Sequence, residues 1–326
     1  MQTHETNDRV LITGGAGFIG KHLRQFLKLA GYDIHYISRR PTKVGVGHEH
    51  VCDLLNAPEL SNLLSEINPQ FVIHLAALAV PNRNLSDLEE HYKNTVQPAL
   101  NLARVAPANI KLAIFFGSCE EYGNGLAPFR EHDALHAISP YGWAKIMAFH
   151  GSKMIAEQRG FPWCWVRPFL CFGADQHSEA VIPTLIKGCL QNQKIPLTQG
   201  AQTRDFMYVA DLCTMVHTLM QTPQLSKGQI VNLATGIPRT IRSVAKTIQR
   251  FVGAGTLDFG AKPYRENEIM SFYGSTEKFT RIFGEQRFSN FDDSLQTAVN
   301  FYRKSLLNDG TPTRSLAYAE DNTQDE

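Results

Sequence analysis

The 326-residue chain lacks an apolar run approaching the ~20 residues of a membrane-spanning helix, so no helical span is expected. It lacks a Cys-x-x-Cys pair or a zinc-ligand spacing among its six cysteines (52, 119, 164, 171, 189 and 213), which read as reduced thiols, mostly in the core. It has almost no net charge: 32 basic against 31 acidic side chains leave +1, dispersed along the chain. Neither nucleic acid nor an anionic membrane surface is an expected partner for such a balance. The opening residues are polar, without the apolar stretch of a secretory leader. A cytoplasmic protein is therefore expected. What the chain does have is 43% apolar residues, enough to fill one large α/β domain and a smaller lobe.

The first motif sits at the start. Arg9 to Thr13 is a short apolar, β-branched run, followed at once by Gly14-Gly-Ala-Gly-Phe-Ile-Gly20. Leu23, Phe26, Leu27 and Ala30 then recur at helical spacing. Strand, glycine turn and helix in that order form the context in which a backbone can approach a pyrophosphate and set it on a helix N-terminus.

Strand-like runs at 10–13, 34–38, 71–75, 112–117 and 163–167 alternate with helical patterns at 60–67, 88–106 and 141–160. This alternation predicts an α/β fold, a Rossmann-type doubly wound parallel sheet covered on both faces, over residues 8–170. Beyond Pro168 the alternation stops. Helices at 181–190, 211–220, 241–252 and 291–306 and a short strand at 230–233 suggest a substrate lobe over 171–305. Segments near 204–237 are expected to return to the main sheet. Residues 308–326 read as a polar tail.

The second motif is Ser139-Pro-Tyr-Gly-Trp-Ala-Lys145. On a helix, Tyr141 and Lys145 share a face. An ammonium beside a phenol favours the phenolate, and such a pair can exchange a proton with a carbinol oxygen while a hydride moves at the same carbon.

With Asp53-Leu54, His74-Leu-Ala-Ala77, Asn94-Thr95, Gly117-Ser118, Tyr122-Gly123, Arg167-Pro168, Arg204 to Asp211 and Pro263-Tyr-Arg265 in the same order, the chain resembles the extended short-chain dehydrogenase/reductase family. Within it, the likeness is to the nucleotide-sugar epimerases, dehydratases and reductases, over about residues 8–305. The resemblance implies roles. Gly14, Gly17 and Gly20, with Phe18 and Ile19 between them, would cradle the cofactor pyrophosphate. Asp53, beside Leu54, would meet the adenine, and Ala76 and Ala77 would line the nicotinamide side. Lys145 would hold the nicotinamide ribose, and Ser118 would share a substrate oxygen with Tyr141. Arg204 and Arg265 would clamp the diphosphate of a nucleotide sugar, which suits a planar, permanently charged guanidinium. Asn94 is expected to serve as scaffold, His74 as a core histidine. The family also implies a homodimer.

Two positions depart from the family pattern. Leu170 stands where many of these enzymes carry an asparagine near the sugar phosphate. Cys119 stands where the dTDP-sugar dehydratases carry an aspartic acid, and a thiol is a feeble proton donor by comparison. The run from Gly117 to Gly123 looks most like GDP-4-keto-6-deoxymannose reductases. At the end of the second strand, Ser38 is followed by Arg39 and Arg40, a combination that suits a 2′-phosphate and predicts NADP(H). The expected reaction is reduction of a 4-keto-6-deoxy nucleotide sugar with Tyr141 as proton donor. The alternatives are a 4,6-dehydratase or 4-epimerase with Glu120 as base, or a dinucleotide-binding protein without chemistry.

Overall fold

The computed structural model describes residues 8–42, 45–79 and 83–307; the expected tail at 308–326 lies outside the described residues. Its centre is a seven-stranded, wholly parallel sheet. In chain order the first six strands are β1 (Arg9–Thr13), β2 (Asp33–Ser38), β3 (His48–Val51), β4 (Phe71–His74), β5 (Leu112–Phe116) and β6 (Trp163–Pro168). The seventh is Gln229–Leu233, and the spatial order is Gln229–Leu233, β6, β5, β4, β1, β2, β3.

Period-two alternation builds both faces. Val10 and Ile12 point into one core with Leu23 and Leu27 of helix α1 (Phe18–Leu29) and with Leu212, Val216 and Leu219 of the helix Val209–Gln221. Leu11 points to the other face. There it joins Leu60 and Leu64 of α2 (Ala57–Ile67) and, beyond the short α3 (Leu88–His91), Leu102 of α4 (Gln97–Val105) and Ala148 of α5 (Pro140–Arg159). Residues buried on both sides of a strand are what helix crossovers on both faces require.

The strand order reverses between β1 and β4. The chain winds outward from β1 to β3, then returns across the sheet to β4. In open sheets of this kind ligands bind outside the carboxyl ends of the strands at that reversal.

The expected elements of the first half are present, with two differences. The pattern expected as one helix at 88–106 is broken by a π-helical turn, Tyr92–Val96, between α3 and α4. The edge strand β3 was not anticipated: His48-Glu-His-Val51 is polar and only partly buried, so it carries no apolar signal.

In the second half, the helices Val181–Leu190, Ile241–Val252 and Phe291–Leu307 share a separate core. They pack with a small sheet in which Thr203–Tyr208 pairs with Pro238–Thr240, Ser271–Phe272 and Leu170–Phe172. The 204–237 stretch therefore divides. Its first strand stays in this smaller sheet, while Val209–Gln221 and Gln229–Leu233 return to the main one.

Candidate active site

The glycine loop lies at the sheet reversal. Gly14 has φ +69°, and a Cβ there would stand 2.8 Å from the Ala76 nitrogen. A Cβ on Gly20 would stand 2.5 Å from the Gly14 oxygen, so the loop closes on the helix only without side chains. Ala76, just past β4, donates its N–H to Thr13 Oγ1 at 3.3 Å, which ties the ends of β1 and β4 together beneath the loop. Thr13 Oγ1 also meets His74 Nδ1 at 2.7 Å; burial pushes the His74 imidazole down to about 3, so it is neutral, a core histidine as expected. Helix α1 starts at Gly17 with no side-chain cap and no acid in its first turn, which leaves its first N–H groups to an incoming anion. This cradle fits the pyrophosphate of a dinucleotide.

Beyond β5 the chain turns through Cys119–Glu121, a single 3₁₀ turn capped by Ser118. Ser118 Oγ accepts from Glu120 N at 3.1 Å, and its N–H donates to Glu121 Oε1 at 2.8 Å. The tight turn sends the neighbouring carboxylates in opposite directions. Glu121 is fully buried, where it accepts from Trp165 Nε1 at 3.0 Å and Arg167 Nε at 2.7 Å. Glu120 instead lines a cavity of about 780 Å³ between the main sheet and the lobe.

Helix α5 brings Tyr141 to the Ser118–Glu121 turn, with Lys145 one helical turn further on; neither side chain lines the cavity itself. Ser139 caps it by accepting from Gly142 N at 3.1 Å, and Pro140 sits in the first turn, where a missing N–H costs nothing. Ser118 beside the Tyr141 phenol favours its ionised form, but burial outweighs this and pushes the phenol above its ordinary value. Lys145 is buried, donates to the Phe116 carbonyl at 2.6 Å and lies 5.8 Å from the centre of the Tyr141 ring; burial lowers it to about 8. The helical spacing thus places the pair on one face, with the phenol held neutral rather than as phenolate. Burial also raises Glu120, against the opposing pull of Ser139 and of the charges on Arg83, Arg204 and Arg265.

Arg204, Arg265 and Leu170 all line the cavity. Arg204 is already engaged: it donates to the Thr203 and Ile269 carbonyls at 2.8 Å each and pairs with Glu268 at 2.5 Å. Arg83 lines the same cavity, anchored to the Glu266 carbonyl at 2.7 Å. No motif in the sequence announced it. Ser139 was also passed over, although a serine just before Pro140 is a readable helix start.

At the adenosine end the arrangement is less simple. Asp53 is exposed and accepts from Leu55 N at 3.0 Å; Asn56, not Asp53, caps α2, and the Leu54 side chain is buried in the core. Ala77 lies partly buried beyond β4. Asn94 donates to the Glu90 carbonyl at 3.0 Å, a scaffold bond as expected. Arg39 and Arg40 are both exposed, while Ser38 is buried and donates to Glu49 at 2.8 Å.

Glycine cradle, sheet reversal and tyrosine–lysine helix thus lie together in one fold. The model for the NAD dependent epimerase/dehydratase family matches residues 10–234. The chain belongs to this family. Among similar family members is the GDP-6-deoxy-D-talose 4-dehydrogenase of Aggregatibacter actinomycetemcomitans, 28% identical over 92% of this chain and 98% of that enzyme. The UDP-glucose 4-epimerase of Rhizobium meliloti is 25% identical over 91% and 98%. Among solved structures, a Thermotoga maritima UDP-glucose 4-epimerase with UDP-glucose superimposes with a TM-score of 0.82 at 22% identity, covering 91% of this chain and 99% of its own. The fold expected from the sequence is thus the family's fold, and the protein is an enzyme of the extended short-chain dehydrogenase/reductase type. None of the helices in the described residues is long and apolar enough to cross a membrane.

Proposed function

We propose that the protein is a nucleotide-sugar oxidoreductase that reduces the ketone of a 4-keto-6-deoxy nucleotide sugar. The observation that carries this reading is the asymmetry of the Cys119–Glu121 turn. Of its two carboxylates one is spent on Arg167, and only Glu120 lines the cavity, with Tyr141 and Ser118 close behind it. Removing water from a hexose needs an acid and a base at neighbouring carbons, and the third group of the turn, the buried Cys119 thiol, is pushed well above its ordinary value. Ketone reduction needs less.

The Gly14–Gly20 loop, Ala76 and Lys145 would hold the dinucleotide, which when bound supplies or accepts a hydride. Tyr141, neutral in its partly buried setting, holds the proton to be delivered to the sugar oxygen. Ser118 lies beside that phenol and can donate to the same oxygen. The Lys145 charge offsets the phenolate left behind. Arg265, Arg83 and the already paired Arg204 surround the place where a diphosphate would lie. The relative active on GDP-6-deoxy-D-talose at carbon 4 supports this choice of substrate and position.

A second reading keeps the same site with Glu120 as base, for a 4,6-dehydratase or 4-epimerase. Its support is the elevated Glu120 carboxyl, which makes a stronger base than a solvated one once ionised. Incubation with a 4-keto-6-deoxy nucleotide sugar and, separately, with an unmodified nucleotide hexose decides between them. A mass gain of two hydrogens with stoichiometric loss of reduced nicotinamide supports the reductase. Loss of water from the hexose transfers the assignment to the dehydratase.

We also infer a homodimer in the cytoplasm. Trp143, Met147 and Met154 lie exposed along one side of α5, a stripe that suits a second copy of the same helix, and the free cysteines fit a reducing compartment. Sedimentation of the wild-type protein against Trp143→Glu tests the dimer.

A further inference from the structure

At the carboxyl end of β2 the residues next in sequence and the residues next in space carry opposite charge. In sequence, Ser38 is followed by two arginines, both exposed. In space, the parallel pairing of β2 with β3 sets Glu49 opposite Tyr36, two residues before Ser38 and therefore on the same face. The Glu49 carboxylate closes on the end of β2: its Oε1 accepts from Ser38 Oγ at 2.8 Å, Thr42 N at 2.8 Å and Thr42 Oγ1 at 2.6 Å.

We propose that Glu49, reaching across from the edge strand, sets the dinucleotide preference toward NAD(H) and against NADP(H). The inference rests on the proposal that the Gly14–Gly20 loop holds a dinucleotide, and it reverses the expectation raised by Ser38-Arg39-Arg40. A carboxylate at this strand end is what accepts a ribose 2′-hydroxyl in sheets of this kind. Glu49 Oε2 accepts no hydrogen bond among the described residues, so one oxygen remains for that hydroxyl.

Two features oppose a 2′-phosphate. The phosphate would bring about −1.5 to −2 charges to a carboxylate that its three donors hold ionised. The Ser38 hydroxyl and Thr42 amide, which could have served phosphate oxygens, are already spent on Glu49. The buried cation nearby, Arg24, is stacked 3.8 Å over the Tyr36 ring, and its charge adds only the smallest of the pulls that lower the Glu49 carboxyl. Gly15 packs against the same Tyr36 ring, so this cluster adjoins the phosphate-binding loop directly.

The test is a binding titration of the whole protein with NADH and with NADPH, followed by nicotinamide fluorescence. NADH is expected to bind about tenfold or more tighter, and Glu49→Gln, which keeps the shape and removes the charge, should narrow that ratio to about threefold or less. Should Glu49→Gln fail to fold, competition on the wild-type protein gives the same answer: 5′-ADP should displace NADH better than 2′,5′-ADP. Equal or tighter NADPH binding, an unchanged ratio in Glu49→Gln, or a selective loss of NADPH binding in the Arg39→Ala, Arg40→Ala double variant would each overturn the proposal. If neither dinucleotide binds, the reading of the glycine loop falls, and this inference with it.

Discussion

Ser139 and Glu120 are joined by a hydrogen bond of 3.3 Å from the serine hydroxyl to the carboxylate Oε2, and the same hydroxyl accepts the Gly142 N–H that starts α5. The helix that carries Tyr141 and Lys145 therefore begins on the group that also steadies Glu120. One serine sets the position of both halves of the site. The bond favours the ionised carboxylate, while burial works against it and prevails.

Glu120→Gln separates the two proposed reactions. Under the reductase reading, ketone reduction should keep its rate within about tenfold, because the proton comes from Tyr141. Under the dehydratase reading, water loss should fall by a factor of about 10² or more. The wild-type dehydratase would also gain activity as pH rises through the elevated Glu120 value. Initial rates on both substrates, across pH, check this.

Tyr141→Phe removes the proton carrier and little volume. Turnover should fall by about 10² or more, with dinucleotide affinity retained. Single-turnover rates beside a binding titration check both halves. Retention of most of the activity would remove Tyr141 from the chemistry.

Lys145 predicts opposite pH trends for activity and stability. Burial lowers the folded-state value from 10.5 to about 8. Its charge is therefore present below about pH 8 and lost above it, and kcat/KM of the free enzyme should decline as pH rises through that value. The unfolded chain keeps this proton up to its ordinary 10.5. Between the two values the unfolded state binds more protons, so this group makes folding stability rise with pH over the same window. Rate profiles and urea unfolding from pH 7 to 10, on wild type and Lys145→Met, should show both trends in the first and neither in the second.

Glu121→Ala breaks the buried pair under the site. An Arg167 left without its carboxylate should cost about 3–5 kcal/mol, because its charge stays buried and unpaired. Adding Arg167→Ala should cost less than the sum of the two single changes, since the two groups act as one unit. Equilibrium unfolding of the single and double variants measures the coupling.

Local signals made most of the scaffold legible. Apolar, β-branched runs with both faces buried specify parallel strands, and Val10 to Ile12 alternate between two cores as period two demands. The Gly14–Gly20 loop and the four-residue step from Tyr141 to Lys145 are short-range patterns that a single turn of backbone expresses. The edge strand β3 left no such trace, being four residues long and largely polar. The π turn at Tyr92–Val96 left none either, since one extra residue per turn barely alters an apolar pattern.

The charge partners were decided by the folded chain. Sequence alone determined that Glu120 and Glu121 are adjacent; the 3₁₀ turn decided that one meets the cavity and the other Arg167, 46 positions away. Sequence placed Arg39 and Arg40 after Ser38; strand pairing brought Glu49 to that serine across 11 positions instead. The family resemblance implied that Arg204 clamps a diphosphate; the lobe's packing gave it Glu268, 64 positions on. Hydrogen bonds and ion pairs act over a few ångströms, and which groups come within that reach depends on how the strands and lobes are placed. Periodicity reports which face of an element is apolar. It carries no information about which distant side chain will be waiting there.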